Sequence, residues 1–90
     1  MAISNGVITV AATADGTVVF TADADGQYVL VHNEAASVDM FFGVSTLTAA
    51  NGFPVAAGGS LSVFVEAGAS LRAIVATATQ PCRFIAADRN

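Results

Sequence analysis

The residues of this chain that could carry chemistry are few. The one histidine, His32, could act as a general base for a serine if a carboxylate oriented it, as in serine hydrolases. The one cysteine, Cys82, could act as a nucleophile only in an activating environment. Neither residue lies in a recognisable catalytic motif. We therefore expect no enzyme activity, with His32 at a strand end and Cys82 as a half-buried small hydrophobe.

An acidic turn and a tyrosine offer binding chemistry. Asp23-Ala24-Asp25-Gly26 resembles the start of a calcium loop, and Glu34 stands at the twelfth position, where an EF-hand has its closing glutamate. However, residues 28–32 are typical of a strand, so we expect a plain turn and neither metal nor cofactor. Tyr28 is the one residue of the Trp/Tyr type that forms sugar-binding platforms, so it leaves a glycan-binding function open.

The overall composition excludes several function classes. The chain has 90 residues, which suits one domain, with a net charge of −4, a pI near 4.3 and no lysine. It therefore lacks the basic surface that binds nucleic acid. It also lacks the apolar stretch of about 18 residues that spans a membrane, and a signal-peptide pattern. We expect no nucleic-acid or membrane partner, and synthesis in the cytoplasm, where a lone cysteine needs no disulfide.

The elements that must position these residues are short β-strands. Ala, Val and Thr are frequent, whereas Lys is absent and Glu and Gln are scarce, which favours strands over helices. Turn signals recur about every eight to twelve residues, a spacing typical of a sandwich or barrel. Asp15-Gly16 predicts a tight hairpin turn, and Asn51-Gly52 marks a further turn. The sequence therefore predicts an all-β protein, an antiparallel, jelly-roll-like β-sandwich of seven or eight short strands.

The domain organisation follows from the same runs. The predicted strands are 7–12, 17–21, 27–32, 38–43, 60–66, 70–76 and 83–87, with at most a short edge strand within 44–57 because Pro54 cannot donate a ladder hydrogen bond. We expect one sandwich domain over residues 7–87. Residues 1–6 are expected to be an N-terminal arm that lies along a partner, and residues 88–90 a polar tail.

Strand parity indicates that apolar residues exceed what one core can bury. Hydrophobic residues make up 54% of the chain and charged residues 11%, against about 25% charged in a typical domain. Phe41 and Phe42 are adjacent, so they point to opposite faces of a strand. Phe64 shares a face with Ser62 and Glu66, the polar side of its strand. We therefore expect copies of the chain, or a partner, to cover some of these side chains.

A series of turn and strand motifs spans about two-thirds of the chain. The series is a strand with an Asn-containing loop, an apolar-aromatic-Gly step, an Asn-Gly-apolar-Pro turn, a Gly-rich turn and two final strands: Val29-Leu30-Val31-His32-Asn33, Phe41-Phe42-Gly43, Asn51-Gly52-Phe53-Pro54, Ala57-Gly58-Gly59, then 71–76 and 83–85. It resembles a small domain of tailed-bacteriophage virions, found in capsid decoration (cement) proteins and in head or tail fibres. The family pattern often has Tyr or Ala where this chain has Arg72.

The resemblance implies a structural role at the capsid surface of a virion. We expect a bacteriophage decoration protein that binds the major capsid protein and stabilises the shell, as a homotrimer or, alternatively, a dimer. The alternative function is a phage fibre or adhesin module that recognises a host-surface glycan. Of the interface residues, we expect Phe64 and one of Phe41 and Phe42 to be buried only in the assembly. The full set of predicted interface residues is Phe41, Phe42, Phe53 and Phe64.

Overall fold

The chain folds into eight β-strands. The computed structural model describes residues 3–13, 15–23, 26–44, 47–48, 50–76 and 78–88. Among these residues, no helix has the length and apolar character of a membrane span. The strands are β1 Ile3–Val10, β2 Thr17–Thr21, β3 Gln27–Asn33, β4 Met40–Gly43, β5 Phe53–Val55, β6 Ser60–Val65, β7 Ser70–Val75 and β8 Gln80–Asp88.

The strands form two four-stranded antiparallel sheets. Sheet 1 has the order β1-β8-β3-β6, and sheet 2 has the order β2-β7-β4-β5. Most connections cross between the sheets, so strands distant in sequence pair: β1 with β8, β2 with β7, and β3 with β6. The short β4–β5 pair closes the series. The prediction of an all-β antiparallel sandwich with seven or eight strands is confirmed, with eight.

The first strand begins earlier than the sequence predicts. Ile3 already pairs with Ala87, and the ladder with β8 continues without a break to the pair of Val10 and Gln80. Residues 3–6 therefore belong to sheet 1 rather than to a free arm. The early start of β1 is not evident from the sequence, because Ser4-Asn5-Gly6 has low β-propensity. Pairing along the length of β8 overrides that low propensity. Arg89 and Asn90 of the expected tail lie outside the described residues.

The Asp15-Gly16 turn forms, but it does not close a hairpin. Both residues have positive φ, 66° and 75°, as the dipeptide predicts. However, β1 and β2 lie in different sheets, so the turn lies within a crossing between them. The hairpin prediction is wrong because a turn dipeptide specifies local backbone angles. It does not specify which strands share a ladder.

The core lies between the two sheets. In β3, alternate residues Val29 and Val31 are buried, whereas Tyr28 and Leu30 are exposed. The other strands contribute their inward side chains in the same way. The buried cluster comprises Val10, Val19, Phe20, Ala22, Val29, Val31, Met40, Phe42, Val55, Val65, Leu71, Ala73, Val75, Cys82 and Ala86.

One buried amide ties the two sheets together. Asn33, at the end of β3, is fully buried. Its Nδ2 donates to the carbonyl oxygens of Val38 and Val55, both at 3.0 Å, and its Oδ1 accepts from the N–H of Ala35 at 2.9 Å. Val55 belongs to β5 in sheet 2. The side chain therefore satisfies three backbone groups and joins the sheets at this end.

Candidate functional site

The outer face of sheet 1 is an exposed apolar surface. The strand registers align residues across all four strands, so outward side chains lie in rows: Ile3, Ala87, Tyr28 and Phe64 in one row, and Asn5, Ile85, Leu30 and Ser62 in the next. Five large apolar residues on this face are between 44% and 65% exposed: Ile3, Val7, Tyr28, Leu30 and Ile85. We call these five residues, together with Phe64, the apolar face.

Phe64 lies on the outer face, as strand parity predicts. Leu61 and Val63 of the same strand pack against the core, whereas Ser62 is exposed. The Phe64 ring is half-buried and meets the Tyr28 ring edge-on, with 4.9 Å between ring centroids. The ring also lies over Gly26, where a β-carbon would be only 2.6 Å from Phe64 Cζ. Gly26 suits this position because of its positive φ of 75°, and a side chain there would displace the Phe64 ring.

The other three predicted interface residues lie in different surroundings. Phe42 is buried in the core, so the outward member of its pair is Phe41. Phe41 pairs with Ile74 on the outer face of sheet 2 and is half-buried. Phe53 is 60% exposed, beside the groove between the open sides of the sheets. The four phenylalanines therefore do not form one surface, and Phe42 is not accessible to a partner.

The chain itself covers part of the outer face of sheet 2. Leu47 is buried, although it lies outside the two sheets. A β-carbon on Gly16, Gly43 or Gly52 would lie 2.8–3.0 Å from a Leu47 methyl carbon, so these glycines allow the leucine to approach the backbone closely. Ile74, on the same face, is only 8% exposed. Sheet 1 has no comparable cover among the described residues.

His32 belongs to a polar cluster at one end of the apolar face. Its Nδ1 lies in hydrogen-bonding contact with Glu34 Oε2, and its Nε2 lies 3.1 Å from the carbonyl oxygen of Gly58. Arg83 Nε donates to Glu34 Oε1 at 3.2 Å. In a serine hydrolase, one ring nitrogen must face a serine hydroxyl. Here the two ring nitrogens face the Glu34 carboxylate and the Gly58 carbonyl oxygen instead. The contacts among His32, Glu34, Arg83 and Gly58 connect β3, β8 and the turn before β6.

The Cys82 thiol is fully buried rather than half-buried, on the inner face of β8. Burial raises the pKa of this thiol from 9.0 to about 11. The nearby Glu34 carboxylate contributes in the same direction, against a backbone hydrogen bond at His32. A thiol that stays protonated and out of solvent is a poor nucleophile.

The acidic turn is only partly described. Ala24 and Asp25 lie outside the described residues, so the structure does not include the full calcium-loop motif. Asp23 accepts hydrogen bonds at its carbonyl oxygen from the N–H groups of Gly26 and Gly68, at 3.3 and 3.2 Å. Its N–H donates to Gln27 Oε1 at 3.0 Å. Within the described ranges, no three His, Cys, Asp or Glu side chains lie close enough together to hold a metal.

Comparisons with known proteins bear on the fold of this chain but not on its function. No protein-family model and no curated protein matches this chain. Among solved structures, the chain is similar to a protein of the Bacillus endospore appendages, described as a family of disulfide-linked pili. The two are 19% identical with a TM-score of 0.50, and the match covers 99% of this chain and 88% of the other. At this identity the likeness supports a shared sandwich-like fold only, and it is with an appendage protein rather than a phage decoration protein.

Sequence reasoning missed most of the apolar face, although a signal was present. Residues 28–31 are Tyr-Val-Leu-Val, apolar at every position, so one face of β3 had to remain outside the core. Residues 84–87 of β8, Phe-Ile-Ala-Ala, have the same property. Pairing β3 directly with β8 places the two outward sets side by side. The pairing of β3 with β8 could not be predicted from the sequence.

Proposed function

We propose that this chain is a non-enzymatic structural subunit of a virion, a decoration protein that binds the major capsid protein at the capsid surface and stabilises the shell. The observation that carries the proposal is the apolar face. Contiguous exposed apolar patches on small proteins mark sites that pack against other proteins. The low charge content, 11% of residues, supports the same interpretation.

The size of the face indicates what kind of contact it makes. Four strands about 4.8 Å apart and seven residues of about 3.4 Å each give roughly 450 Å² of sheet. A stable pairwise interface buries roughly 800 Å² per partner, so this face alone makes a weak contact. A subunit on a shell offsets that weakness when it makes several contacts at once. The face therefore suits a protein that binds a pre-assembled surface.

The strand order supports the more specific form of the proposal. Pairing of β1 with β8, β2 with β7, β3 with β6 and β4 with β5 is the strand order that we expect of an eight-stranded jelly roll. The decoration domains that the sequence resembles have jelly-roll-type sandwiches. The fold is thus compatible with the virion role, although a fold by itself hosts many functions.

A shell-binding experiment tests the proposal. The purified chain is added to undecorated phage shells, and we expect it to co-sediment with them and raise the temperature at which they disrupt. Replacing both Leu30 and Ile85 by Ser should abolish binding while the domain stays folded. Val18→Ser, an exposed position on sheet 2, is the matched control and should bind normally. Equal binding by the wild type and the double variant would overturn the role of the apolar face.

The alternative function is a fibre or adhesin module that recognises a host-surface glycan. Two observations support it: the fold likeness to an appendage protein, and the exposed Tyr28 ring at the end of the apolar face. A glycan array with the assembled protein separates the two candidates. Binding to a defined glycan that is lost in Tyr28→Ala would favour the adhesin, whereas shell binding without glycan binding favours the decoration protein.

A further inference from the structure

The edges of the two sheets differ in how well they are protected against pairing. In sheet 2, edge strand β2 has a register shift between Val18 and Phe20, and edge strand β5 has only three residues, one of them Pro54. Bulges, short strands and prolines are the devices by which proteins prevent edge-to-edge association. Both edges of sheet 2 therefore carry such a device.

Both edges of sheet 1 lack these devices. Edge strand β1 has eight residues and edge strand β6 has six, with no proline and no charged side chain in either. Each runs in continuous register with its inner neighbour, without a bulge. Within the described part of the chain, no strand pairs with the outer side of either one. Their outward N–H and C=O groups are therefore templates for another strand.

The directions of these two edge strands are complementary. Each neighbouring pair in sheet 1 is antiparallel, and the sheet has four strands, so β6 runs opposite to β1. A second copy shifted sideways by one sheet width, without being turned over, therefore presents its β6 to β1 in antiparallel orientation. The outer faces of both copies then lie on the same side, and the apolar face continues from one copy to the next.

An apolar groove runs beside β6 and is left open by the short β5. The groove has a volume of about 350 Å³ and is lined by Phe42, Val44, Phe53, Leu61, Val63 and Leu71, among others. Leu61 and Val63 face inward but are only half-buried, because the three-residue β5 opposite them is too short to cover them. Val44 and Phe53 are 68% and 60% exposed. A strand added at β6 would lie across the mouth of this groove.

We propose that the occupant is a second copy of this chain: β1 of one copy pairs with β6 of the next, extends sheet 1 and closes the groove. The contact rests on the proposed function, because it supplies the second interface that a weakly binding apolar face needs. It uses two different surfaces, so copies add head to tail. Such a contact forms a ring, including the homotrimer, when the rotation between copies closes, and an open chain when it does not.

Proline substitutions on the two edges test the pairing. Along an edge strand, successive N–H groups point alternately toward the neighbouring strand of the sheet and away from it. Of two adjacent positions, one therefore accepts proline without losing a hydrogen bond of the sheet, and the proline removes a donor from the free edge. On β1 the pair is Ser4→Pro and Asn5→Pro, and on β6 it is Ser62→Pro and Val63→Pro. In each pair, the variant that keeps the wild-type circular dichroism spectrum is used. Alanine at the same positions keeps the N–H and is the matched control.

Light scattering after size exclusion gives the mass of each sample. We expect wild type and alanine controls to associate, and the β1-blocked and β6-blocked variants each to be monomers. Mixing the two blocked variants should give a dimer and nothing larger, because one intact β6 then meets one intact β1. A monomeric wild type at high concentration would overturn the proposal. So would a dimer of the β1-blocked variant alone, which would indicate β6 pairing with β6.

Amide hydrogen exchange on the wild type provides a test without substitutions. Raising the protein concentration should slow exchange at alternate amides of β1 and β6 and leave β2 and β5 unchanged. Concentration-independent exchange at β1 and β6 would contradict the pairing even if every proline variant failed to fold. Shell binding distinguishes this inference from the proposed function. If blocked variants bind shells although the wild type never self-associates, only the edge pairing fails; if copies associate but no shell is bound, only the decoration role fails.

Discussion

The two sheets of this sandwich share a core but differ on their outer sides. Sheet 2 has Leu47 folded onto its outer face, close to three glycines, and both of its edges are blunted. Sheet 1 has five exposed large apolar side chains on its outer face and two unprotected edge strands. Of the eight exposed large apolar side chains among the described residues, five thus lie on the outer face of sheet 1, whereas Val18, Val44 and Phe53 lie elsewhere.

The largest expected effect comes from disconnecting the two sheets. Asn33→Ala removes the hydrogen-bond partners of the Val55 carbonyl in β5 and of two groups in the β3–β4 connection, the Ala35 N–H and the partly buried Val38 carbonyl. Each buried group left unpaired costs about 1–3 kcal/mol, so we expect the free energy of unfolding to fall by about 4 kcal/mol, measured by urea denaturation. Asn51→Ala, which removes the side-chain hydrogen bond to Thr48 N–H in an exposed turn, is the control. Its loss should be about 1 kcal/mol, and equal losses would contradict a special role of Asn33.

A leucine on each outer face allows the two sheets to be compared directly. Leu47→Ala leaves a cavity under the cover of sheet 2 and should destabilise the domain by about 3 kcal/mol. Leu30→Ala on the apolar face should cost less than about 1 kcal/mol in the monomer, because the side chain is 44% exposed. The same Leu30 variant should weaken shell binding, which Leu47→Ala should not affect below its unfolding temperature. Similar losses of stability at the two sites would remove the distinction between the faces.

A smaller, pH-dependent effect is expected on the inner side of sheet 1. Burial raises the pKa of the Cys82 thiol from 9.0 to about 11, so the thiol loses its proton in the unfolded chain before it does so in the folded domain. The contribution of Cys82 to stability is therefore complete below pH 9 and declines as pH rises toward 11. Urea midpoints across this range should fall more steeply for the wild type than for Cys82→Ala. Parallel slopes would show that the thiol does not titrate differently on folding.

The smallest effect is expected at the polar cluster beside the apolar face. Glu34→Gln weakens the ion pairs with His32 and Arg83, whose side chains are 39% and 65% exposed. Exposed ion pairs contribute about 0–1 kcal/mol, so the free energy of unfolding should change by less than about 1 kcal/mol. Glu66→Gln, at another exposed acidic position, is the control. A loss above about 2 kcal/mol would mean that the cluster holds sheet 1 together more strongly than its exposure suggests.

The parts of the fold that could be predicted are those set by local patterns. The alternation of Leu61, Val63 and Val65 predicted which face of β6 packs on the core, and Phe64 lies on the opposite face. The Asn51-Gly52 turn also forms, closed by hydrogen bonds to the Thr48 carbonyl at 3.2 and 3.0 Å. Both signals depend on side-chain period or on backbone angles within a few residues. The alternation of side chains is therefore sufficient to predict the face of β6 on which Phe64 lies.

The candidate site was only partly predictable. Phe41 and Phe42 had to point in opposite directions, but parity does not say which one meets the core. The pairing of β4 with β7 places Phe42 inward, opposite Ala73. The sequence places Ile3 in an expected N-terminal arm because Ser4-Asn5-Gly6 is a flexible, polar join. Its place beside Ala87 at the edge of sheet 1 depends on a ladder between the two ends of the chain.

The sequence by itself determined the class of this protein: an all-β sandwich, low in charge, with more apolar residues than one core can hold. These properties follow from composition and from a two-residue period, which are local. Only the tertiary structure decided where the surplus lies, because each sheet is built from strands far apart in sequence. Pairing β1, β8 and β3 brings the outward apolar side chains of these three strands together, while Leu47 covers part of the outer face of sheet 2. Long-range pairing, which no local pattern encodes, thus placed most of the exposed large apolar side chains on one sheet.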